Sequence, residues 1–423
     1  METTKRGAGW GERFRHMGEY VRALLKWLIL AVLVGAAGGV VGALFHVGVE
    51  QATAWRGAHP WVLYLLPLAG LVITGLYRAA HVYGLGTNVV IEAVHEGKRI
   101  PLLLLPAIFC GTILTHLCGG SAGREGAALQ MGGDLGRHVG QLLKMDDKDT
   151  RLATLCGMSA LFSALFGTPL TATVFALEVV SVGVLYYAGF VPCIVAALVA
   201  YGVSLLFGVA PTRFALAVPA VEPGLLVRTA ALAVLCALVS ILLCETLHRT
   251  EHLAARALPN PYLRALAGGA VIAAATLLLG TTAYNGAGMD RIAAAVEQGT
   301  AQPWDFLCKL LFTAVTIGCG FKGGEVVPTF FVGVTFGCAA APLLGLEAGF
   351  GAAIGLVAVF CGAVNCPMAS ILLSIELFGA EGLSCFALAC GIGYMLSGYR
   401  GLYSSQTILY SKLKAEFINV HAK

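Results

Sequence analysis

Residues 27–49, WLILAVLVGAAGGVVGALFHVGV, run without a single Asp, Glu, Lys or Arg. A helix needs about 20 apolar residues to cross the hydrocarbon core, so this stretch is long enough to span a bilayer. Comparable runs recur near 61–77, 101–121, 152–177, 182–211, 229–244, 265–284, 311–320, 326–346, 348–375 and 383–399. Only 12% of the 423 residues are charged, where soluble chains carry about a quarter. Within lipid every backbone polar group must be paired inside the chain, which helices achieve segment by segment. The chain is therefore read as an all-α polytopic membrane protein. Several runs are too long for one crossing or too short for a complete one, which predicts tilted and broken helices.

The sequence also repeats itself. FSALFGTPLTATVFALEV (162–179) aligns without gaps with FCGAVNCPMASILLSIEL (360–377), pairing Phe162 with Phe360, Pro169 with Pro367 and Glu178 with Glu376. Upstream, Gly123-Arg124-Glu125 aligns with Gly323-Gly324-Glu325, and Gly133 with Gly333. Two blocks in the same order indicate two halves, assigned here to 27–215 and 216–415. Residues 1–26 are taken as an N-terminal segment and 416–423 as a tail. Transporters built from two inverted repeats place broken helices near the midplane, where helix N-termini face an anionic substrate. The matching glycine-rich interruptions, GREG at 123–126 and GGEVVP at 323–328, mark that place. Pro169 and Pro367 mark helix starts or kinks, and the recurrence of Glu178 and Glu376 points to a shared structural role.

Each break carries a carboxylate at membrane depth, which is a functional feature by default. A helix start presents unpaired N–H groups and a partial positive charge, a setting for an anion. Glu125, ionised, occupies such a site and excludes the substrate. Protonated, it is neutral and gives the site up. One side chain can thus exchange a proton for an anion. The plain alternative is a carboxylate paired with Arg124 to close a helix start. Arg124 is expected to support the loop by bonding backbone carbonyls. Glu325 is expected to relay protons or hold the anion loop, with a simple helix cap as the alternative. His116, on an apolar run, is read as a packed residue.

Charge gives the topology. Residues 1–26 hold Lys5, Arg6, Arg13, Arg15, Arg22 and Lys26 against three glutamates, and the positive-inside rule places them in the cytoplasm. Lys412, Lys414 and Lys423 put the tail on the same side, so both termini are expected on the cytoplasmic face of the cell's inner (plasma) membrane. Asp290, Glu297 and Asp305 make 285–305 an external loop. No apolar core with a small-residue cleavage site precedes residue 27, so no cleaved signal peptide is expected. The net charge of +4 reports topology rather than nucleic-acid binding. Thirteen cysteines lie mostly in apolar runs without C-x-x-C or zinc spacing, so they are read as small hydrophobes and no metal site is expected.

These residues resemble the CLC family of anion channels and proton-coupled anion exchangers. GREG is similar to that family's gating-glutamate motif, and GGEVVP falls where the family has its second anion loop. YRGLYSSQTIL (399–409) resembles the late segment that brings a tyrosine, here Tyr403, to the anion path. The resemblance covers about residues 27–412 and implies a CLC-like fold of two inverted-topology repeats. It also implies a homodimer with one pathway per subunit, no cofactor and no enzymatic activity. It further implies an anion site built from Thr87, Asn88, Gly123, Gly126, Val326, Val327 and Tyr403. No cytoplasmic nucleotide-binding pair is expected after residue 412. Asn88 in the first anion loop (86–90) and the glutamate in GGEVVP resemble the fluoride-exporting branch. So does Val179, where chloride/proton exchangers carry a second glutamate; Val327 replaces an expected polar residue. The expected function is proton-coupled fluoride export, a fluoride/proton antiport, with a chloride or nitrate CLC exchanger or channel as the rival.

One reading from another class rests on Gly119-Gly120-Ser121-Ala122-Gly123, a G-x-S-x-G serine-hydrolase pattern. Such an enzyme needs a histidine to activate Ser121. That reading leaves the duplicated halves unexplained and is rejected.

Overall fold

The computed structural model describes residues 10–423, with side chains from residue 17. The charges on Lys5, Arg6, Arg13 and Arg15 lie outside the described side chains.

Among the described residues sixteen α-helices fall into two successive sets of eight. The first set is α1 (Trp10–Ala58), α2 (Leu66–Ala79), α3 (Thr87–Glu96), α4 (Leu104–Cys118), α5 (Glu125–Leu142), α6 (Asp147–Phe166), α7 (Pro169–Glu178) and α8 (Phe190–Leu206). The second is α9 (Pro223–Ala257), α10 (Pro261–Leu279), α11 (Met289–Glu297), α12 (Asp305–Gly318), α13 (Val326–Ala340), α14 (Ala348–Val364), α15 (Pro367–Phe378) and α16 (Leu383–Leu396). Non-helical residues 207–222 separate the sets.

The broken helices follow from local chemistry. The run 152–177 is cut after α6 by Gly167, at φ 72°, and α7 restarts at Pro169. The run 348–375 is cut at the equivalent point by Asn365, at φ 57°, and α15 restarts at Pro367. Glycine and asparagine both tolerate the left-handed conformation, and proline fits the first helical turn. Six described helical segments are long and apolar enough to cross a membrane, while α4, α14, α15 and α16 are shorter.

Small residues let the helices of each half press together. A Cβ at Gly132 or Gly136 would strike the backbone of Gly157 or Ala153, and one at Gly333 or Gly337 that of Gly355 or Gly351. This is close packing of the kind membrane helices use where lipid supplies no hydrophobic drive. A chain of phenylalanines joins the halves: Phe162 and Phe175 at 5.4 Å, Phe175 and Phe360 at 5.7 Å, Phe360 and Phe330 at 5.0 Å.

The repeated glutamates tie the halves reciprocally. Glu178 accepts from the N–H groups of Met368 and Ala369 at the start of α15, at 3.2 and 2.9 Å. Glu376 accepts from those of Leu170 and Thr171 at the start of α7, at 3.0 and 2.8 Å. The expected structural role is what the contacts show.

Beside the helices, β1 (Ser181–Val182), β2 (Thr407–Tyr410) and β3 (Phe417–His421) form a small sheet, β1 parallel and β3 antiparallel to β2. The tail 416–423 thus contains a strand. The Lys412 ammonium donates to Asn365 Oδ1, Tyr394 O and Ser397 Oγ at 2.5, 2.9 and 3.0 Å. One expectation needs correction: Asp305 is not a loop charge but is buried, accepting from Tyr284 Oη at 2.7 Å and Gln302 N at 2.9 Å.

Candidate functional site

The two glycine breaks meet. Gly123 N donates to Gly324 O and Gly324 N donates to Gly123 O, both at 2.7 Å. No side chain fits between them: a Cβ on Gly126 would lie 2.8 Å from Gly324 Cα, and one on Gly123 3.1 Å from Gly324 O. Glycine is required here by close backbone approach. The contact sets the starts of α5 and α13 against each other.

The loop into α5 is held by the other half. Asn285 Nδ2 donates to Gly119 O at 2.6 Å, and Gly286 N to Gly120 O at 2.9 Å. The fully buried Lys309 caps the carbonyls of Tyr284 and Gly286, while Arg56 donates to His116 O. His116 is packed as expected, its Nδ1 on Thr112 O at 2.9 Å.

Glu125 is the first residue of α5 and is wholly buried. Its Oε2 accepts from Arg124 N at 3.0 Å, and its Oε1 has no hydrogen-bond partner among the described residues. The Arg124 guanidinium lies 3.5 Å from Glu125 Oε1 and 3.8 Å from Glu50 Oε1. Arg124 therefore bridges two carboxylates and makes none of the expected bonds to loop carbonyls, because its side chain is drawn toward the acids of α1 and α5. Glu50 also accepts from His46 at 2.8 Å.

Glu325 stands at the cap of α13 and makes no side-chain capping bond to the helix start. Its Oε2 is buried, unpartnered, and 3.1 Å from where a Cβ on Gly126 would sit. The acid of the second break thus faces the start of the helix that carries the acid of the first. Val326 and Val327 form the first turn of α13, fully buried, and their N–H groups find no acceptor among the described residues. Val327 offers backbone donors only.

Tyr403 is buried, and its hydroxyl has no hydrogen-bond partner among the described residues. Its loop is anchored through Gln406, which donates to Val179 O and Val364 O at 3.0 and 2.8 Å, one carbonyl from each half. Thr87, at the start of α3, accepts from Gln130 Nε2 at 2.9 Å. Asn88 makes contacts that the sequence did not show. Its amide donates to Ser404 Oγ at 3.1 Å, and its oxygen accepts from Ser405 N at 3.1 Å. The side chain clips the Tyr403 loop to α3 because that loop packs against the helix start. An open cavity of about 610 Å³, lined in part by Glu92, Ser404 and Ser405, borders the clip.

Sequence reasoning missed Gln130, Glu50 and Gln406. A buried glutamine on the helix that Glu125 starts was the one visible signal. The hydrolase pattern is a coincidence of glycines: Ser121 is buried and its hydroxyl pairs with Thr313 Oγ1 at 3.0 Å, not with a histidine.

Comparison with known proteins agrees with this architecture. Residues 69–398 match the voltage gated chloride channel family. The chain is 40% identical over 401 residues to a "Chloride/fluoride channel protein" of Pseudomonas syringae pv. tomato, covering 92% of this chain and 88% of that one. It is 27% identical over 383 residues to an "H(+)/Cl(-) exchange transporter ClcA" of Vibrio cholerae, covering 83% and 81%. The crystal structure of a CLC-type fluoride/proton antiporter superposes with a TM-score of 0.88 at 31% identity, over 91% of this chain and 98% of that one. The chain belongs to the CLC family and is an integral membrane protein.

Proposed function

We propose that the protein exports fluoride in exchange for protons, with Glu125 as gate and proton carrier. The observation that carries this reading is the position of the Glu125 carboxylate: buried, half-unpaired, at the meeting of two helix starts. Those starts supply positive partial charge and free N–H groups, from Gly126 on one side and Val326 and Val327 on the other. A small anion and the Glu125 carboxylate compete for that place. Protonation neutralises the side chain and frees it to swing away, so each exchange carries one charge in and one out of the same pocket. Arg124 holds the acid in register. Glu325 receives or returns the proton, and Tyr403 lines the anion path from the other end. Fluoride is favoured by the matched relatives whose names include it, and by Thr87, whose hydroxyl lies at the start of α3 and can donate to a strong acceptor. Homodimerisation, a cytoplasmic position for both termini and an inner-membrane location belong to the same reading.

The test is efflux from proteoliposomes followed with a fluoride electrode and a pH electrode. Fluoride release with opposite proton movement is expected for wild type, and loss of proton movement for Glu125→Gln. Proton movement driven by chloride but not by fluoride replaces this reading with a chloride exchanger. Unchanged coupling in the variant removes Glu125 from the mechanism.

A further inference from the structure

Between the second break and the end of α2 lies a string of ionisable side chains that the anion site leaves unused. Lys322 precedes Glu325 by three residues. Its N–H is held by Thr115 Oγ1 at 3.3 Å, and its stem packs on α4, 3.4 Å from where a Cβ on Gly111 would sit. The ammonium lies 4.4 Å from the centroid of the Tyr77 ring. Among the described residues no carboxylate stands within ion-pair distance of it. Tyr77 is buried, its hydroxyl unpartnered, two residues before α2 ends.

Beyond Tyr77 the groups are those of an aqueous face. Arg78 covers the rings of Tyr83 and Tyr262, and Arg264 donates to Tyr83 Oη at 2.8 Å. Glu251, exposed on α9, has its backbone against the end of α12, 3.1 Å from where a Cβ on Gly318 would lie. Gly318 lies four residues before Lys322 and Glu325 three residues after it, so one short segment carries the lysine between the Glu251 backbone and the acid of the second break. A cation at membrane depth is costly and is retained where it has work. Held over a ring, it is steadied without being neutralised by a partner.

We propose that Lys322 relays protons between Glu325 and Glu251, connecting the second break to the aqueous face at the end of α2. This rests on the proton-coupled reading above. In the relay, the Lys322 ammonium gives one N–H proton to the Glu251 carboxylate, directly or through water. The amine lone pair then takes the proton of the Glu325 carboxylic acid; that O–H bond breaks and an N–H bond forms. Lys322 returns to ammonium, Glu325 to carboxylate, and Glu251 sheds its proton to water. Tyr77 positions the ammonium by its ring.

The experiment measures the proton-to-fluoride ratio of wild type, Lys322→Met, Lys322→Arg and Glu251→Gln in sealed vesicles. Lys322→Met is expected to lose roughly tenfold or more of its proton flux while fluoride flux falls less, and Lys322→Arg, whose guanidinium keeps its protons, to show the same loss. Glu251→Gln, on an exposed residue that folding tolerates, shifts the ratio in the same direction. A wild-type ratio in Lys322→Met, or equal loss of both fluxes, overturns the relay. Should Lys322→Met aggregate, an unchanged ratio in Glu251→Gln overturns it instead. Absence of proton movement in wild type overturns the proton-coupled reading rather than the relay.

Discussion

At the first break Arg124 stands beside Glu125, and the acid is sealed in protein with one oxygen bonded to the chain. At the second, glycine occupies the position matching Arg124, the acid Glu325 is half-buried, and Lys322, three residues before it, lies over the Tyr77 ring. The backbones of the two breaks are nevertheless joined by a matched pair of hydrogen bonds. Duplication preserved the scaffold and the carboxylates, while the cations around them diverged. The difference fits the proposed division of roles, in which Glu125 contests a site and Glu325 serves it.

The comparison breaks most visibly in the acids themselves. Glu125→Gln is expected to cut proton flux by about a hundredfold or more, and Glu325→Gln by about tenfold. Equal losses in the pH-electrode assay would mean that the two breaks share one role. The scaffold comes next. Gly324→Ala drives a Cβ into Gly126 N, whereas Gly123→Ala meets atoms at 3.0 Å. Both should lower the melting temperature in detergent, Gly324→Ala by more, at a cost of about 1–3 kcal/mol. The reciprocal clasps should behave alike: Glu178→Gln and Glu376→Gln each remove a charge from two helix-start bonds, at about 1 kcal/mol apiece. Unequal melting shifts would show that only one clasp holds. Smallest is Tyr403→Phe, which removes a buried hydroxyl with no partner. Stability should stay within about 0.5 kcal/mol while fluoride flux changes, and a large melting shift would mark that hydroxyl as structural instead.

Much of this was legible in the chain because it is written locally and twice. Glycine-rich breaks, the prolines that restart α7 and α15, and the recurrence of Glu178 and Glu376 all lie within short windows. The place of Glu125 at the start of a buried helix followed from one acid after a glycine break. What stayed hidden depends on partners far apart in sequence. Asn88 gives no local sign of Ser404 and Ser405, which meet it across more than 300 residues. Arg124 reads as a loop brace until Glu50 of α1 comes alongside. The strand Ser181–Val182 is too short to show an alternating pattern, so its pairing with Thr407 and Ile408 had no local sign. Nothing near Lys412 in sequence announces Asn365.

The twin hydrogen bonds between Gly123 and Gly324 also restrict how such a machine can move. Together with the two glutamate clasps they rivet the halves at the centre and at both flanks, so rocking one half against the other would strand buried amides and carboxylates at every rivet. The cheaper motion is rotation of a few side chains inside a stationary frame.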